Sequence, residues 1–124
     1  MNSDSMSAKT ILIAEDDEAN FKYLEIILTL AKYNIVRANN GIEAIKICES
    51  TRIDLILMDI RMPEMDGFEA TIAIRKFNPT VPIIAQTAYT AQKDQIIAKE
   101  AGCNDFLTKP LERNSLLNTI KMYI

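Results

Sequence analysis

The stretch Leu55-Ile56-Leu57-Met58-Asp59-Ile60-Arg61-Met62-Pro63-Glu64-Met65-Asp66-Gly67 decides how this 124-residue chain is read. Its apolar run suits a strand covered on both faces, and it ends on one carboxylate before Pro63, Asp66 and Gly67 mark a loop. An aspartate in that position stands at the rim of a sheet, where a ligand or donor can reach it. The other apolar runs end on Glu15-Asp16, on Thr87 and on Lys109. An acid pair, an acid, a hydroxyl and an ammonium at four strand ends form a constellation rather than a scatter.

Outward from this stretch, strand-like and helix-like lengths alternate five times. Residues 10–14, 35–38, 53–58, 81–85 and 105–108 read as strands, the third the most apolar and hence central, the second short and near an edge. Phe21, Leu24, Leu28 and Ala31 recur at three-and-four spacing, which predicts a helix over residues 17–32 with Asp17 as its N-cap. Asn39-Asn40-Gly41 breaks the chain, and a second helix over 42–50 buries Ala44, Ile45 and Cys48. A third follows Gly67 and stops at Asn78-Pro79, a fourth spans 90–101 before Gly102, and Leu116, Leu117 and Ile120 define a fifth. Strict alternation implies an α/β fold, a doubly wound parallel sheet with right-handed crossovers and helices on both faces. Ligands of such folds bind beyond the carboxyl ends of the strands, at the switch in strand order. Topology and residue chemistry thus select the same side chains.

The bulk composition narrows the function. A 48% hydrophobic and 25% charged chain of this length is one soluble globular domain. A net charge of −3, with no basic run interleaved with aromatics, argues against direct nucleic-acid binding. No apolar stretch approaches 18 residues, so no membrane contact is expected. Residues 1–8 lack the features of a signal peptide and read as a disordered tail ahead of a domain over 9–124. Cys48 and Cys103, with no CxxC and no histidine anywhere, exclude the usual zinc spacings and imidazole-based catalysis. They read as free buried thiols of a reducing, cytoplasmic compartment.

Glu15, Asp16 and Asp59 would crowd one rim with little but Lys109 to neutralise them. Two unit charges ~4 Å apart repel by about 4 kcal/mol at an effective dielectric near 20, so either an acid is protonated or a cation is bound. Hard oxygens without His or Cys favour Mg²⁺, which keeps several waters and accepts a phosphoryl oxygen. A carboxylate beside that ion and a lysine is a credible phosphoryl acceptor, and Thr87 supplies a hydroxyl for one transferred oxygen.

At this point the chain resembles the receiver domain of two-component response regulators, similar to the single-domain chemotaxis regulator. The resemblance covers about residues 9–124. It rests on Ile11-Leu12-Ile13-Ala14-Glu15-Asp16-Asp17-Glu18, on Met58 through Gly67, on Gln86-Thr87-Ala88 and on Lys109-Pro110. It implies a flavodoxin-like five-stranded sheet of order 2-1-3-4-5. It further implies that Asp59 is the phosphoacceptor, served by a sensor histidine kinase or a histidine phosphotransfer protein. Asp16 would bind Mg²⁺ (or Mn²⁺ as substitute) directly and Glu15 through water, with Asp59 and the Arg61 backbone carbonyl completing the protein's share. Thr87 and Lys109 would contact the phosphoryl group, Phe106 would turn inward as Thr87 moves, and the Lys109-Pro110 peptide would be cis. Such a domain is not an enzyme beyond its own phosphorylation and dephosphorylation. Its output would be a downstream protein contact through the fourth helix, fifth strand and fifth helix, and a phosphorylation-dependent dimer is a further option.

The Glu-Asp pair replaces the commoner Asp-Asp. Asn20 and the polar tail favour a receiver belonging to a hybrid sensor kinase, whose parent chain would be a histidine kinase. An aspartyl-phosphate phosphatase of the dehalogenase type would need Asp-x-Asp after the first strand, a spacing with a following Thr that Glu15-Asp16-Asp17 lacks, and a flavin carrier would need a Ser/Thr/Gly-rich loop there, where acids stand. A phosphorylation-independent interaction module is the alternative function. Arg61 and Tyr89, two residues beyond Asp59 and Thr87, stand at the mouth of the site and should restrict water. Slow loss of the phosphoryl group is therefore expected, and a measured half-life of seconds would contradict it.

Overall fold

The computed structural model describes residues 8–88 and 92–124. Along the chain run β1 (Thr10–Ala14), α1 (Glu18–Leu30), β2 (Asn34–Ala38), α2 (Gly41–Ser50), β3 (Leu55–Asp59), α3 (Gly67–Arg75), β4 (Ile83–Thr87), α4 (Gln92–Ala101), β5 (Asp105–Thr108) and α5 (Arg113–Tyr123). All strand pairs are parallel, and the five strands lie in the order β2-β1-β3-β4-β5. The doubly wound arrangement expected from the alternation is found, with the flavodoxin-like strand order that the resemblance implied.

Alternation within each strand divides the core into two layers, because successive side chains leave a strand on opposite faces. Ile11, Ile13, Leu55, Leu57 and Ile84 pack under Phe21, Leu24 and Leu28 of α1 and Leu116 and Ile120 of α5. On the other face, Leu12, Ala14, Ile56, Met58 and Ile83 meet Ala44 of α2 and Ala70 and Ile74 of α3. Ala98 of α4 closes a smaller cluster with Ile60 and Ala85.

Local chemistry starts the helices where the site needs them. Asp17 caps α1 by accepting from the Asn20 N–H at 2.8 Å, and Asn40 caps α2 through the Glu43 N–H at 2.8 Å. Asp66 and Glu69 form a reciprocal capping box on α3.

Several boundaries differ from the sequence expectation for physical reasons. β3 begins two residues later, at Leu55, and ends on Asp59 itself. β4 is displaced two residues toward its carboxyl end. Pro82 has no N–H to pair, whereas the polar Gln86 and Thr87 continue the ladder with backbone groups that do not depend on side-chain polarity. Ile45 and Cys48 are half-buried rather than buried, since α2 covers the sheet near its β2 edge. Both cysteines are free and half-buried. Burial pushes the Cys48 thiol up to about 11 and raises Cys103 as well, which makes both poor nucleophiles. The tail expected over residues 1–8 lies, but for Ala8, outside the described residues, as do Tyr89 and Thr90.

One glycine ties the fold to the acidic rim. A Cβ at Gly67 would lie 2.2 Å from the Asp59 carbonyl oxygen and 2.9 Å from Met58 Cγ. The Gly67 N–H also donates to the Ile60 carbonyl at 3.0 Å, closing the loop after β3. Because the nearest obstacle is backbone, Gly67→Ala is expected to cost about 1–3 kcal/mol or more in urea unfolding. An unchanged midpoint would show that the loop yields.

Candidate functional site

The carboxyl edge of the sheet gathers the two acids that follow β1, the acid that ends β3 and the lysine that follows β5. Glu15 is fully buried, Asp59 is 2% exposed and Asp16 is exposed. One carboxylate oxygen from each of the three lies within 4.8 Å of the others. The Lys109 ammonium stands 3.0 Å from Asp59 Oδ2 and 3.3 Å from Glu15 Oε1, so one cation is shared by two buried anions.

Further groups hold this arrangement in place. The Asn20 amide donates to Glu15 Oε1, and the Asp17 N–H donates to Glu15 Oε2 at 3.1 Å. Arg37 of β2 reaches back over β1, donating to the Glu15 carbonyl from Nε at 3.2 Å and Nη2 at 3.1 Å. The same guanidinium pairs with Glu18 at 2.6 Å and lies 4.4 Å from the centre of the Phe21 ring. The Glu15 main chain is thereby pinned from β2 and its side chain from α1.

The charge balance leaves its mark on protonation. Burial first, and then the like charge of Glu15, push the Asp59 carboxyl up to about 7 against the pull of Lys109. Burial alone would lower the Lys109 ammonium, but Asp59 and Glu15 outweigh it and hold it above the ordinary lysine range. The cluster is therefore short of positive charge. Its donor set is all carboxylate, which fits a hard, oxygen-preferring divalent cation.

Thr87 is fully buried at the end of β4, and its carbonyl accepts from the Lys109 N–H at 2.6 Å. The Lys109-Pro110 peptide is cis. Arg61 is exposed beside the site, and its N–H donates to Asp59 Oδ1 at 3.3 Å. Phe106 is half-buried against the cluster of Ile60, Ala85 and Ala98. Tyr89, expected at the mouth of the site, lies outside the described residues. Arg37 and Gln86 are neighbours to which the sequence assigned no role of their own. An arginine in an edge strand signals nothing by itself, and Gln86 enters the sequence reading only as part of the Gln86-Thr87-Ala88 motif.

The structure thus sets a buried acid pair around one lysine at the carboxyl edge of a five-stranded parallel sheet. The model of the response regulator receiver domain matches residues 11–121, and the chain belongs to that family, whose members act as signalling switches of two-component systems rather than as conventional enzymes. It is 34% identical over 118 residues to the polar-differentiation response regulator DivK of Brucella anthropi, covering 94% of this chain and 96% of DivK. Sensor-kinase and transcriptional-regulator relatives are longer, and the chain spans 18% to 25% of their length. The receiver domain of sensor histidine kinase PA1611 from Pseudomonas aeruginosa PAO1 superposes with a TM-score of 0.88 at 37% identity, covering 94% of this chain and 97% of that one. It is described with a magnesium ion coordinated in its active site cleft. The receiver of Saccharomyces cerevisiae Ssk1, in complex with the histidine phosphotransfer protein Ypd1, gives a TM-score of 0.89 at 34% identity, covering 94% of this chain and 88% of that one.

Asp59 also makes a stability prediction. Its raised folded pKa means that the folded state holds a proton the unfolded chain has released, so its contribution is present at low pH and lost as pH rises through about 7. Lys109 stays charged in both states across that window. Removing the carboxylate as Asp59→Asn should therefore confer an advantage that grows by about 2 kcal/mol between pH 5 and pH 8, measured by urea unfolding with divalent ions chelated. A pH-independent difference would contradict the assignment.

Proposed function

We propose that this receiver is a phosphoacceptor switch in which Asp59 accepts a phosphoryl group from a phosphohistidine donor. The observation that carries the reading is the nearly buried Asp59 carboxylate, 3.0 Å from Lys109 and clustered with Glu15 and Asp16. An Asp59 oxygen attacks phosphorus, the P–O bond forms as the P–N bond to the donor imidazole breaks, and the imidazole leaves to be protonated by solvent. Lys109 offers its ammonium to the charge on the transferred oxygens, and the Thr87 hydroxyl donates to one of them. Asp16, Asp59 and the Arg61 carbonyl would hold Mg²⁺ directly, and Glu15 through water. When bound, that ion adds the positive charge the cluster is short of and clamps a phosphoryl oxygen. Mn²⁺ has the same hard-oxygen preference and would substitute.

The donor is a sensor histidine kinase or a phosphotransfer protein, a reading supported by the Ypd1 complex of the Ssk1 receiver. The likeness to the PA1611 receiver supports membership of a hybrid sensor kinase. Among the described residues no helix is long and apolar enough to cross a membrane. The two free cysteines suit a reducing cytoplasmic setting. Phosphorylation adds charge and acceptor oxygens at one point. Thr87 and Lys109 close on them, Phe106 turns inward, and the face of α4, β5 and α5 is presented anew to a downstream protein or a second copy.

Incubation with acetyl phosphate and Mg²⁺ should add the mass of one phosphoryl group to the wild type and none to Asp59→Asn. Failure of the wild type to take it up would leave the phosphorylation-independent interaction module as the better reading. Thr87→Ala should still be phosphorylated yet lose the accompanying NMR shifts of α4 and β5 amides; retained shifts would break the proposed coupling.

A further inference from the structure

Gln86 stands apart in the core. It is fully buried, and among the described residues its Nε2 and Oε1 are the only buried side-chain polar atoms that meet no hydrogen-bond partner. Buried amides are almost always paired, so an unmet one calls for a physical reason. The position of Gln86 supplies one. It is the register partner of Asp59 across β3 and β4, and of Leu107 across β4 and β5. Registered residues of a parallel pair leave the sheet on the same face, so the Gln86 and Asp59 side chains are neighbours on the α1/α5 face, where Ile84 and Leu57 pack below them. Its backbone is tied to the site on both sides: the Ile60 N–H donates to the Gln86 carbonyl at 3.1 Å, and the Lys109 N–H to that of Thr87 at 2.6 Å.

In the resting arrangement the polar groups beside Gln86 satisfy one another. Lys109 is engaged by Asp59 Oδ2 and Glu15 Oε1, and Asn20 also serves Glu15. A phosphoryl group on Asp59 disturbs that closed set, because it draws Lys109 toward new oxygens and turns the carboxylate into an acyl group with a carbonyl acceptor of its own. We propose that Gln86 is a positioning residue of the phosphorylated state, whose amide gains its missing partner in the Asp59–Lys109 pair once Asp59 carries a phosphoryl group. This rests on the phosphoacceptor reading above and adds to it a polar group that favours one state of the switch. Unmet at rest and met after transfer, the amide destabilises the first state and stabilises the second, which is how a side chain biases a two-state equilibrium.

The test uses Gln86→Met, close in volume but without donor or acceptor strength, with Gln86→Leu as a second variant. Each is titrated with beryllofluoride and Mg²⁺, a stable analogue of the phosphoryl group, followed by ¹⁹F NMR; unfolding midpoints are measured without the analogue. Both variants should show a raised resting midpoint, and beryllofluoride affinity about tenfold weaker than wild type, the worth of one hydrogen bond to a charged centre. Unchanged affinity with a raised midpoint would make Gln86 a plain core defect and overturn the proposal. A lowered midpoint in both variants would show that the amide is already partnered at rest, and overturns it too. Uptake of acetyl-derived phosphoryl by wild type separates the two levels: normal uptake with unchanged variant affinity sinks the Gln86 role alone, while no uptake sinks the phosphoacceptor reading and this inference together.

Discussion

The Lys109 ammonium shared between buried Asp59 and Glu15 is the constraint on which the rest of the site depends. Two carboxylates out of contact with water, and a third at the rim, are expensive to hold together. One lysine offsets that cost only in part, as the raised Asp59 pKa records. A cluster left short of positive charge suits a cation, and under the proposed function that cation would meet the oxygens of a phosphoryl group. Burial, protonation and chemistry are thus one electrostatic problem seen at three stages.

The fold creates that problem through its topology. A parallel sheet covered on both faces must end every strand in the same direction, so polar residues that cannot enter the core collect along one edge. β1 delivers Glu15 and Asp16 there, β3 delivers Asp59 and β4 delivers Thr87, while the turn after β5 brings Lys109 back across them. Around this edge the packing leaves little slack. Gly67 has no room for a Cβ against the Asp59 carbonyl, and Arg37 fastens the Glu15 main chain from the neighbouring strand. Under the proposed function, a site held this firmly would pass a local change of charge into the elements beyond Thr87.

Much of this was legible in the residues. The apolar runs and their terminal acids, hydroxyl and lysine located the site because composition and period both mark strand ends. The caps at Asp17, Asn40 and Asp66 follow from residue type in the same way, although only Asp17 also precedes a clear apolar period. Where reading failed, backbone pairing or tertiary packing had the deciding role. Gln86 and Thr87 extend β4 because ladder hydrogen bonds ignore side-chain polarity, and Ile45 and Cys48 are half-exposed because α2 covers an edge. The reach of Arg37 to the Glu15 carbonyl, and the unmet amide of Gln86 beside Asp59, depend on contacts between strands that no linear pattern encodes.

The most direct measurement of the central claim is the effect of Mg²⁺ on the unfolding midpoint at pH 8, compared between wild type and Asp16→Asn. Asp16 is exposed, so its replacement leaves the core intact while removing one of the clustered carboxylates. If the acidic cluster is a cation site held short of charge, Mg²⁺ raises the wild-type midpoint, chelation reverses the rise, and the variant gains little or nothing. An equal rise in both proteins, or none in the wild type, would contradict the account.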